Sequence, residues 1–507
     1  MSFLTLLIVA FTFVSCNKED DLGIENTPPE TENSENMMVL GAQLENPYSV
    51  ENMQKALQEL QSSGMTLKSN IVIEPTHLYV RFLPASEEEL QILKADTLLE
   101  LYSYPLDYEI GEGGSYYQDP SLPDSVITWQ YTTVAPNYEF PNIKYELLCE
   151  LFLLEEDDDD SAEISTKNGK INLLDWEALE DKSLELTGNL DEGSDDLTEK
   201  ASKWRPAGCI TMWDECSKSA WVPIEGLEVR ARRWFTTHKG ITSSTGAFSC
   251  DGRFRRDANY SFSWERYNFE IRNSGNATAQ YNGPKKRGYW SYDIVEARDA
   301  MQVYHATIFR AAYHYYYKDI NSLRRPPQNS FWKTQLKIRA YYEENTSANG
   351  NHAAWRRFLG LGSAVRIYNP QRATQDIYGT TIHELAHASH WNMSSSTFND
   401  TETIVKESWA RGVQLELTRM VYPDYKGGSI IRPYYTQVVV DMIDLPFDNN
   451  NGSELLSQDN VSGYTIKEIE DALKGQKTWN GWRDNIKNKY NNETEKYLDA
   501  LFEHWGN

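Results

Sequence analysis

Residues 375–391 read QDIYGTTIHELAHASHW, and two histidines in this stretch, His383 and His387, enclose a glutamate, Glu384. Apolar residues recur between the polar ones at the spacing of a helix with a buried face. At about 100° per residue, the two histidines lie one turn apart on the same helical face, so both imidazoles can bind one metal ion. The pattern predicts a buried helix that carries two metal ligands and a base, Glu384.

A second helical pattern, TETIVKESWARGVQLELTRMV, covers residues 401–421 and follows a Ser- and Asn-rich turn at 392–399. Glu407 in this pattern stands twenty positions after His387 and is flanked by apolar residues. Two helices joined by a short turn can return Glu407 to the histidine pair. Three protein ligands leave one position of a tetrahedral zinc open for water, which distinguishes a catalytic site from a closed structural one.

This pair of helices resembles the thermolysin-like and aminopeptidase-like gluzincins, zinc peptidases whose metal is held by His-Glu-x-x-His and a downstream Glu. The resemblance implies that His383, His387 and Glu407 are ligands of Zn²⁺ and that Glu384 is the general base. It also implies a hydrolysis in which the metal acidifies a water molecule and Glu384 transfers the proton of that water to the leaving amine. The resemblance covers roughly residues 365–421 and is specific at the motif.

The position four residues after Glu407 departs from the gluzincin pattern. Many gluzincins carry there an acidic residue that orients a ligating histidine, whereas this chain has Arg411. An orienting acid must then come from another position. Three acidic residues lie near the two helices in sequence: Asp376, Asp400 and Glu402.

His390 is an alternative third ligand. It follows His387 by three residues and lies near the same helical face. Glu407 is preferred, because a residue from a second helix completes a tetrahedron more easily than three ligands on one helix. In that case His390 is a histidine near the negative end of the helix dipole.

Peptide hydrolysis by a zinc enzyme also needs a hydrogen-bond donor for the oxyanion, commonly Tyr or His. Residues 432–445, RPYYTQVVVDMIDL, follow the Glu407 helix and offer Tyr434 and Tyr435. Since the chain has 31 tyrosines, packing is the alternative role for either one. Three histidines are further candidates, of which the first two lie in a Tyr-rich helical pattern that favours a role in packing: His305, His314 and His352.

A short strand and several helices are predicted around the motif. Residues 363–368, SAVRIY, alternate apolar and polar side chains and predict a strand. In zincins such a strand lies along the cleft and binds the substrate backbone, but an ordinary strand inside a sheet has the same pattern. Helical spacing at 465–473, 479–490 and 493–505 predicts a helical C-terminal lobe.

The first residues predict export and a lipid anchor. Residues 3–14 are apolar and end at Ser15-Cys16, which suits a signal peptide with a lipoprotein cleavage site, although no Lys or Arg precedes them. Cys16 would then be the lipidated first residue, and residues 17–40 a flexible tether. Lys18 followed by acids resembles the signal that sends some Gram-negative lipoproteins to the cell surface across the outer membrane. No later apolar run approaches eighteen residues, so the lipid is the expected membrane contact.

Charge divides the chain near residue 204. Residues 1–204 carry 11 Lys and Arg against 41 Asp and Glu, a net charge of −30, whereas residues 205–507 carry 38 against 34, a net charge of +4, which together give −26. A chain this acidic is not expected to bind nucleic acid. The acidic half also raises the hypothesis of an inhibitory N-terminal segment.

The N-terminal half contains a predicted domain and a predicted linker. Short strand patterns at 71–73, 77–82 and 126–133 predict a β-rich domain over residues 41–154. Residues 155–204 begin with EEDDDD and are polar and acidic throughout, which predicts a solvated linker.

Residues 205–285 alternate apolar and polar side chains between Gly turns and predict a β-sandwich. The alternation is clearest at 227–231, 234–235, 246–248, 260–264 and 269–271. The pattern resembles the transthyretin-like module called the carboxypeptidase regulatory-like domain, which implies a spacer or a platform that faces carbohydrate or protein. In an exported protein, the cysteines after residue 16 could form up to two disulfides, with a small loop between the second and third: Cys149, Cys209, Cys216 and Cys250.

Together these patterns predict a multidomain α+β protein with a β-rich N-terminal domain, a β-sandwich and a mainly helical zincin-like catalytic domain over residues 286–507. The predicted function is Zn²⁺-dependent hydrolysis of peptide bonds in extracellular or periplasmic proteins. The alternative is a non-catalytic surface protein that binds a protein or glycan ligand on a zincin-like scaffold. Arg411 favours this alternative, whereas the intact motif with Glu384 and Glu407 opposes it.

Overall fold

The protein is a mixed α+β molecule with several sheets. The computed structural model describes residues 36–154, 163–166, 169–190, 202–273, 275–330, 334–345, 348–352, 365–427, 434–444 and 460–506. The predicted signal peptide with Cys16, the tether up to residue 35 and the acidic run 155–162 lie outside these residues. Within them, no helix is both long enough and apolar enough to cross a membrane.

The described residues form ten α-helices and twenty strands. The helices are α1 (Val50–Ser62), α2 (Glu87–Ala95), α3 (Leu173–Leu186), α4 (Glu296–Tyr317), α5 (Thr374–Met393), α6 (Thr403–Arg419), α7 (Val438–Ile443), α8 (Ile466–Leu473), α9 (Trp479–Lys489) and α10 (Leu498–Gly506). The strands are β1 (Leu40–Gln43), β2 (His77–Leu83), β3 (Tyr108–Ile110), β4 (Gln130–Val134), β5 (Lys144–Leu151), β6 (Glu163–Thr166), β7 (Gly169–Asn172), β8 (Ala207–Trp213), β9 (Trp221–Pro223), β10 (Glu228–Arg233), β11 (Thr236–Ile241), β12 (Ala247–Ser249), β13 (Ala258–Ser263), β14 (Glu265–Arg266), β15 (Phe269–Arg272), β16 (Gln280–Lys286), β17 (Trp290–Ile294), β18 (Leu336–Ala340), β19 (Gly350–His352) and β20 (Val365–Ile367).

The N-terminal region combines small sheets with helices. β2 lies between β4 and β5 in an antiparallel sheet, and β1 pairs with β3. The expected linker differs from the prediction where it is described, because it contains the hairpin β6–β7 and the helix α3. Three apolar side chains of α3, Trp176, Leu179 and Leu184, are buried. Helical spacing of these few apolar residues therefore outweighed an acidic composition that favours solvent.

Residues 207–294 form two facing groups of strands. One sheet has the order β11-β10-β13-β16, and the other has the order β12-β8-β17 with β9 also paired to β8. β17 lies after the expected domain boundary at residue 285, yet it pairs in parallel with β8. Strand pairing thus continues across that boundary.

A five-stranded sheet with the order β14-β15-β18-β20-β19 supports the two motif helices. Its three central strands are parallel, and the outer strands β14 and β19 are antiparallel to their neighbours. β14 and β15 come from the region predicted to be a β-sandwich, whereas β18, β19 and β20 come from the region predicted to be catalytic. The polypeptide is therefore interlocked: each region supplies strands that complete a sheet of the other.

Both motif helices form close to their predicted positions, since the patterns at 375–391 and 401–421 correspond to α5 and α6. The helical C-terminal patterns are confirmed by α8, α9 and α10, although α10 begins at Leu498 and not at 493. One continuous apolar core extends from Ile210 in β8 to Trp505 in α10 and includes Ile382 and Trp409 of the motif helices. The sandwich strands, the sheet and the C-terminal helices thus share one core.

All four cysteines of the described residues are free thiols. The expected disulfides, including the loop between Cys209 and Cys216, are absent from this part of the chain. Cys250 is buried, and the other three are half-buried. Stability here comes from the shared core and from buried ion pairs, so oxidative cross-links are not what holds these strands together.

A buried cluster of charged side chains joins α2 to the five-stranded sheet. The Arg272 guanidinium donates to both carboxylate oxygens of Glu87, at 2.5 and 2.9 Å, and its Nε donates to Glu270 at 2.8 Å. Lys94 and Lys337 donate to the other oxygen of Glu270, at 2.9 and 2.6 Å. Burial raises the pKa of Glu270, but the charges of these cations outweigh it and hold the pKa well below its usual range.

Because Glu87 is one of the anions that balance this cluster, Glu87→Gln leaves an excess positive charge in a buried place. We expect the variant to lose about 3 kcal/mol of unfolding free energy, as is usual when one partner of a buried ion pair is removed. The neighbouring Glu88 is exposed, so Glu88→Gln is the matched control and should change stability by less than about 0.5 kcal/mol. Chemical denaturation followed by tryptophan fluorescence measures both. Equal denaturation midpoints for the two variants would contradict the role of Glu87 in balancing the buried charges.

Candidate metal centre

The motif helix α5 is buried along most of its length, including every residue from Ile377 to His390. It packs against α6, and the turn between them includes a short 3-10 helix, Phe398–Asp400. Histidine and glutamate side chains on such a helix have little contact with solvent, so they are satisfied mainly by one another or by a bound ligand.

Three side chains converge at the contact between α5 and α6. Glu407 Oε2 lies 3.2 Å from His383 Nε2 and 3.2 Å from His387 Nε2, and the two imidazole nitrogens are 3.1 Å apart. Tetrahedral zinc with ligands at about 2.0–2.1 Å has ligand atoms about 3.3 Å apart. The near-equilateral triangle of two nitrogens and one oxygen therefore fits a single shared cation. We call His383, His387 and Glu407 the metal trio.

The protonation states of the metal trio also suit a cation. Burial raises the pKa of Glu407, but the electrostatic interaction with the His387 imidazole and hydrogen bonds with both histidines hold it far below the usual range. Burial lowers the pKa of His387 by more than Glu407 raises it. Burial also acts to lower the pKa of His383, but its hydrogen bond with Glu407 and the nearby carboxylates raise the value above normal. Glu407 is thus ionised and His387 neutral, the forms that bind metal, while a proton competes for His383.

Glu384 lies beside the metal trio under the strand β19. It is 3% exposed, and none of the described residues donates a hydrogen bond to its Oε2. Burial raises the pKa of Glu384 to about 8, with a smaller opposing effect of His383. A Cβ atom on Gly350 would lie 2.7 Å from both Cγ and Oε1 of Glu384, so only glycine lets the strand approach the carboxylate this closely.

The strand next to the site is β19, not the predicted strand at 363–368. That segment forms β20, which lies inside the sheet between β18 and β19. β19 is the terminal strand of this sheet in the described residues, and its residues Gly350 and His352 lie over α5. Sequence reasoning missed it because Gly-Asn-His has neither the length nor the alternation that predicts a strand.

His390 does not belong to the metal trio. Two groups of the described residues near α5 could each share one ion, and His390 belongs to neither: His383, His387 and Glu407, and, at the start of the helix, Asp214, Glu215 and Cys216. His390 contacts the ring of Phe398 instead, with ring centroids 5.0 Å apart. Burial lowers its pKa to about 3, so it is a neutral core histidine. His390 lies on nearly the same face as His383, but seven residues correspond to about 10 Å along the helix axis, so His390 lies beyond the reach of an ion shared with His383.

Of the two candidate tyrosines, Tyr435 lies at the site. Its ring centroid is 6.0 Å from that of His383. Burial lowers the pKa of Arg411, and Tyr435 is one of the groups that oppose this shift, so the phenol and the guanidinium are close. The contact of Tyr434 with α6 is made by its backbone: its carbonyl oxygen accepts a hydrogen bond from Ser408 Oγ at 3.3 Å.

The three further histidines separate into one at the site and two in the core. His352 on β19 stacks on the ligand His387, with ring centroids 6.4 Å apart and planes 12° apart. His314 on α4 hydrogen-bonds the hydroxyl of Tyr378 through Nδ1 at 2.7 Å. His305 is buried on the same helix, and burial lowers its pKa to about 3. The packing role considered for the two α4 histidines agrees with these contacts.

The acids proposed to orient a ligating histidine are engaged elsewhere. Arg411 is only 3% exposed and lies on the His383 side, where its charge acts against the protonation of that histidine. The three acids each accept from a partner outside the metal trio: Asp376 from Arg372 (3.2 Å), Asp400 from Lys477 (2.8 Å) and Glu402 from the backbone N–H of Trp479 (2.7 Å).

The loop after β8 holds the first turn of α5, an arrangement that no sequence pattern predicted. Ala373 at the helix start provides no side-chain cap. Instead Glu215 accepts from the backbone N–H of Thr374 at 2.7 Å, and Asp214 accepts from the Thr374 hydroxyl at 2.5 Å. Asp214 also accepts from Arg310 of α4 at 2.7 Å. Residues about 160 positions apart in sequence thus fix where the ligand-bearing helix begins.

Comparison of the chain with known proteins identified no family. No family model matches the chain, and the search of curated proteins found no match. The chemistry of the site must therefore be argued from the metal trio, from Glu384 and from the residues around them.

The geometry predicts about one zinc ion per chain after incubation with zinc and desalting. His383→Ala and Glu407→Ala should lose most of this zinc, since each removes one of three ligands, whereas His390→Ala should keep it. Zinc content should also fall below about pH 6.5, where histidine protonation competes with the metal. Elemental mass spectrometry measures all four proteins. Equal zinc in the wild type and His383→Ala would rule out the trio as the binding site.

Proposed function

We propose that the protein is a zinc-dependent peptidase that hydrolyses peptide bonds in extracellular or periplasmic proteins. The observation that carries the proposal is the convergence of the metal trio beside Glu384, a buried carboxylate whose pKa of about 8 lets it exchange a proton near neutral pH. A structural zinc site would use four protein ligands, whereas the described residues here provide three.

In the proposed hydrolysis, the metal trio and the residues around it have separate roles. Zinc held by the trio would supply Lewis-acid chemistry for a water molecule and a peptide carbonyl. Glu384 accepts the proton of the attacking water and donates it to the leaving amine. The hydroxyl of Tyr435 donates a hydrogen bond to the oxyanion as the carbonyl becomes tetrahedral. β19, the terminal strand of the sheet in the described residues, pairs with an extended substrate backbone and aligns the scissile bond over Glu384.

The proposal also covers the folds of two domains and the location of the protein. The five-stranded sheet with an antiparallel terminal strand, together with α5 and α6, supports a zincin-like catalytic domain. The two four-stranded groups over 207–294 support a transthyretin-like sandwich. Export as a lipoprotein anchored through Cys16 rests on the sequence pattern around that residue, and the proposed substrates are proteins or peptides outside the cytoplasm.

A non-catalytic binding protein remains the second candidate, because one observation favours it. Arg411 occupies the position of the usual orienting acid, and Asp376, Asp400 and Glu402 are each paired elsewhere. Ligating histidines without an oriented second nitrogen bind metal less tightly and tune it less well. This candidate needs the same scaffold but no proton transfer by Glu384.

Glu384→Gln separates the two candidates. In a peptidase it removes the proton acceptor but no metal ligand, so turnover should fall by about 10²–10⁴-fold while zinc content stays unchanged. The matched control is Glu503→Gln, an exposed position in α10. Cleavage of a peptide library, followed by mass spectrometry, measures both. A wild type that cleaves no peptide, with a ligand affinity that Glu384→Gln leaves unchanged, would favour the binding protein.

Tyr435→Phe tests the proposed oxyanion donor, and Tyr434→Phe is its matched control. Loss of the Tyr435 hydroxyl should lower kcat on the order of 10²-fold with little change in KM, because the hydrogen bond forms as the oxyanion develops. Zinc content should be equal in both variants. Equal kcat values for the two variants would remove Tyr435 from the catalytic role.

A further inference from the structure

Lys406 is a buried cation next to the metal trio. It precedes Glu407 in the first turn of α6 and is 9% exposed. In the described part of the chain, no carboxylate lies within ion-pair distance of its ammonium group, in contrast to the cations buried at the α2 interface. The ammonium group lies over an aromatic ring, with Nζ 5.4 Å from the centroid of Phe398.

Phe398 connects Lys406 to the substrate side of the metal trio. Its ring centroid is 6.2 Å from that of His352, which in turn stacks on the ligand His387. His352 belongs to β19, the strand along which an extended substrate is proposed to bind. Two polar side chains, Lys406 and His352, therefore contact one aromatic ring directly beside a metal ligand.

The electrostatics of this place favour an anion. Burial of an ammonium group without a counterion costs free energy, and charges kept in this way concentrate at functional sites. The charge of Lys406 acts on the histidines of α5. The pKa of His390 is lowered mainly by burial, and His387 and Lys406 lower it further. Lys406 adds a positive charge beside a divalent cation bound by the trio, so an anionic group of a ligand is favoured next to it.

We propose that Lys406, with His352 beside it, binds a carboxylate of the substrate adjacent to the scissile bond. The substrates are then peptides with an acidic side chain at that position or with a free C-terminal carboxylate there. This inference rests on the proposed peptidase function and adds its substrate class. The Lys406 ammonium group lies over the ring of Phe398 and forms an ion pair with the incoming carboxylate.

The test measures binding apart from catalysis, so that it does not depend on turnover. Zinc-loaded Glu384→Gln protein is titrated calorimetrically with four peptides of the form acetyl-Ala-Ala-X-Ala-Ala. X is Glu or Gln, and the C-terminus is a free acid or an amide. The peptide with Gln and an amide carries no carboxylate, and the other peptides distinguish a side-chain carboxylate from a terminal one.

We expect at least about tenfold tighter binding of one carboxylate-bearing peptide than of the neutral peptide. Adding Lys406→Met, which keeps the length of the side chain, should abolish this preference, and Lys406→Arg should retain it. His352→Asn should reduce the preference and serves as the second variant if Lys406→Met unfolds. Zinc content and thermal midpoint check that each variant is intact.

Equal affinities for the four peptides, or a preference that survives Lys406→Met, would overturn the carboxylate subsite. Failure of the proposed function is a separate result, since it appears as a wild-type protein that cleaves no peptide at all. The inactive background therefore reports on Lys406 alone, and the wild-type cleavage assay reports on the peptidase.

Discussion

The contact between α5 and α6 buries two imidazoles and two carboxylates close together. The elements packed against α5 hold these four side chains in place. The three ligand atoms of the metal trio lie 3.1–3.2 Å apart, and at most two of their three contacts can be hydrogen bonds, since each imidazole nitrogen carries either one proton or one lone pair. A cation resolves this conflict. The glycine of β19 and the acidic loop after β8 hold α5 from two directions, so the ligands cannot relax away from each other.

The same demand for charge balance explains how the acidic N-terminal half is attached. α2 brings Glu87 and Lys94 to the buried Glu270 and Arg272, and both sets of charges depend on the contact. The N-terminal region is therefore part of the support of the five-stranded sheet that ends in β19. The inhibitory role considered for this half stays a hypothesis, because the described contacts of α2 are with the sheet and not with the metal trio.

Positive charge around the site distinguishes this molecule from a plain arrangement of three ligands and a base. Arg411 lies near His383, and Lys406 lies near His387, so cationic side chains flank the trio on both sides. Buried cations oppose the binding of a metal ion, a cost that is offset if an anionic ligand binds with the metal. The pattern suits an enzyme that selects acidic peptides, and a binding protein for acidic ligands would show it as well.

Short-range patterns in the sequence predicted the motif helices and the meeting of Glu407 with the two histidines. α5, α6, α8 and α9 have boundaries within two residues of those predicted, because burial on one face of a helix leaves a period of 3.6 residues in the sequence. The spacing of His383, His387 and Glu407 indicated the trio for the same reason. The sequence indicated Tyr435 only as one of a pair, since it cannot show which of two neighbouring side chains lies beside His383.

Tertiary structure decided what depends on contacts between distant segments. β19 and not β20 borders the site, strands cross the expected boundary at residue 285, and Asp214 and Glu215 hold the start of α5. The partners of Lys406 and the free cysteines belong to the same class. These features have no local period, because strand order, ion pairing and the burial of a charge are set by which segments meet after the chain has folded. The burial of one helix face can be predicted from residues that are neighbours in sequence. The charged side chains around the metal trio come from separate elements, so their arrangement is set only by the folded structure.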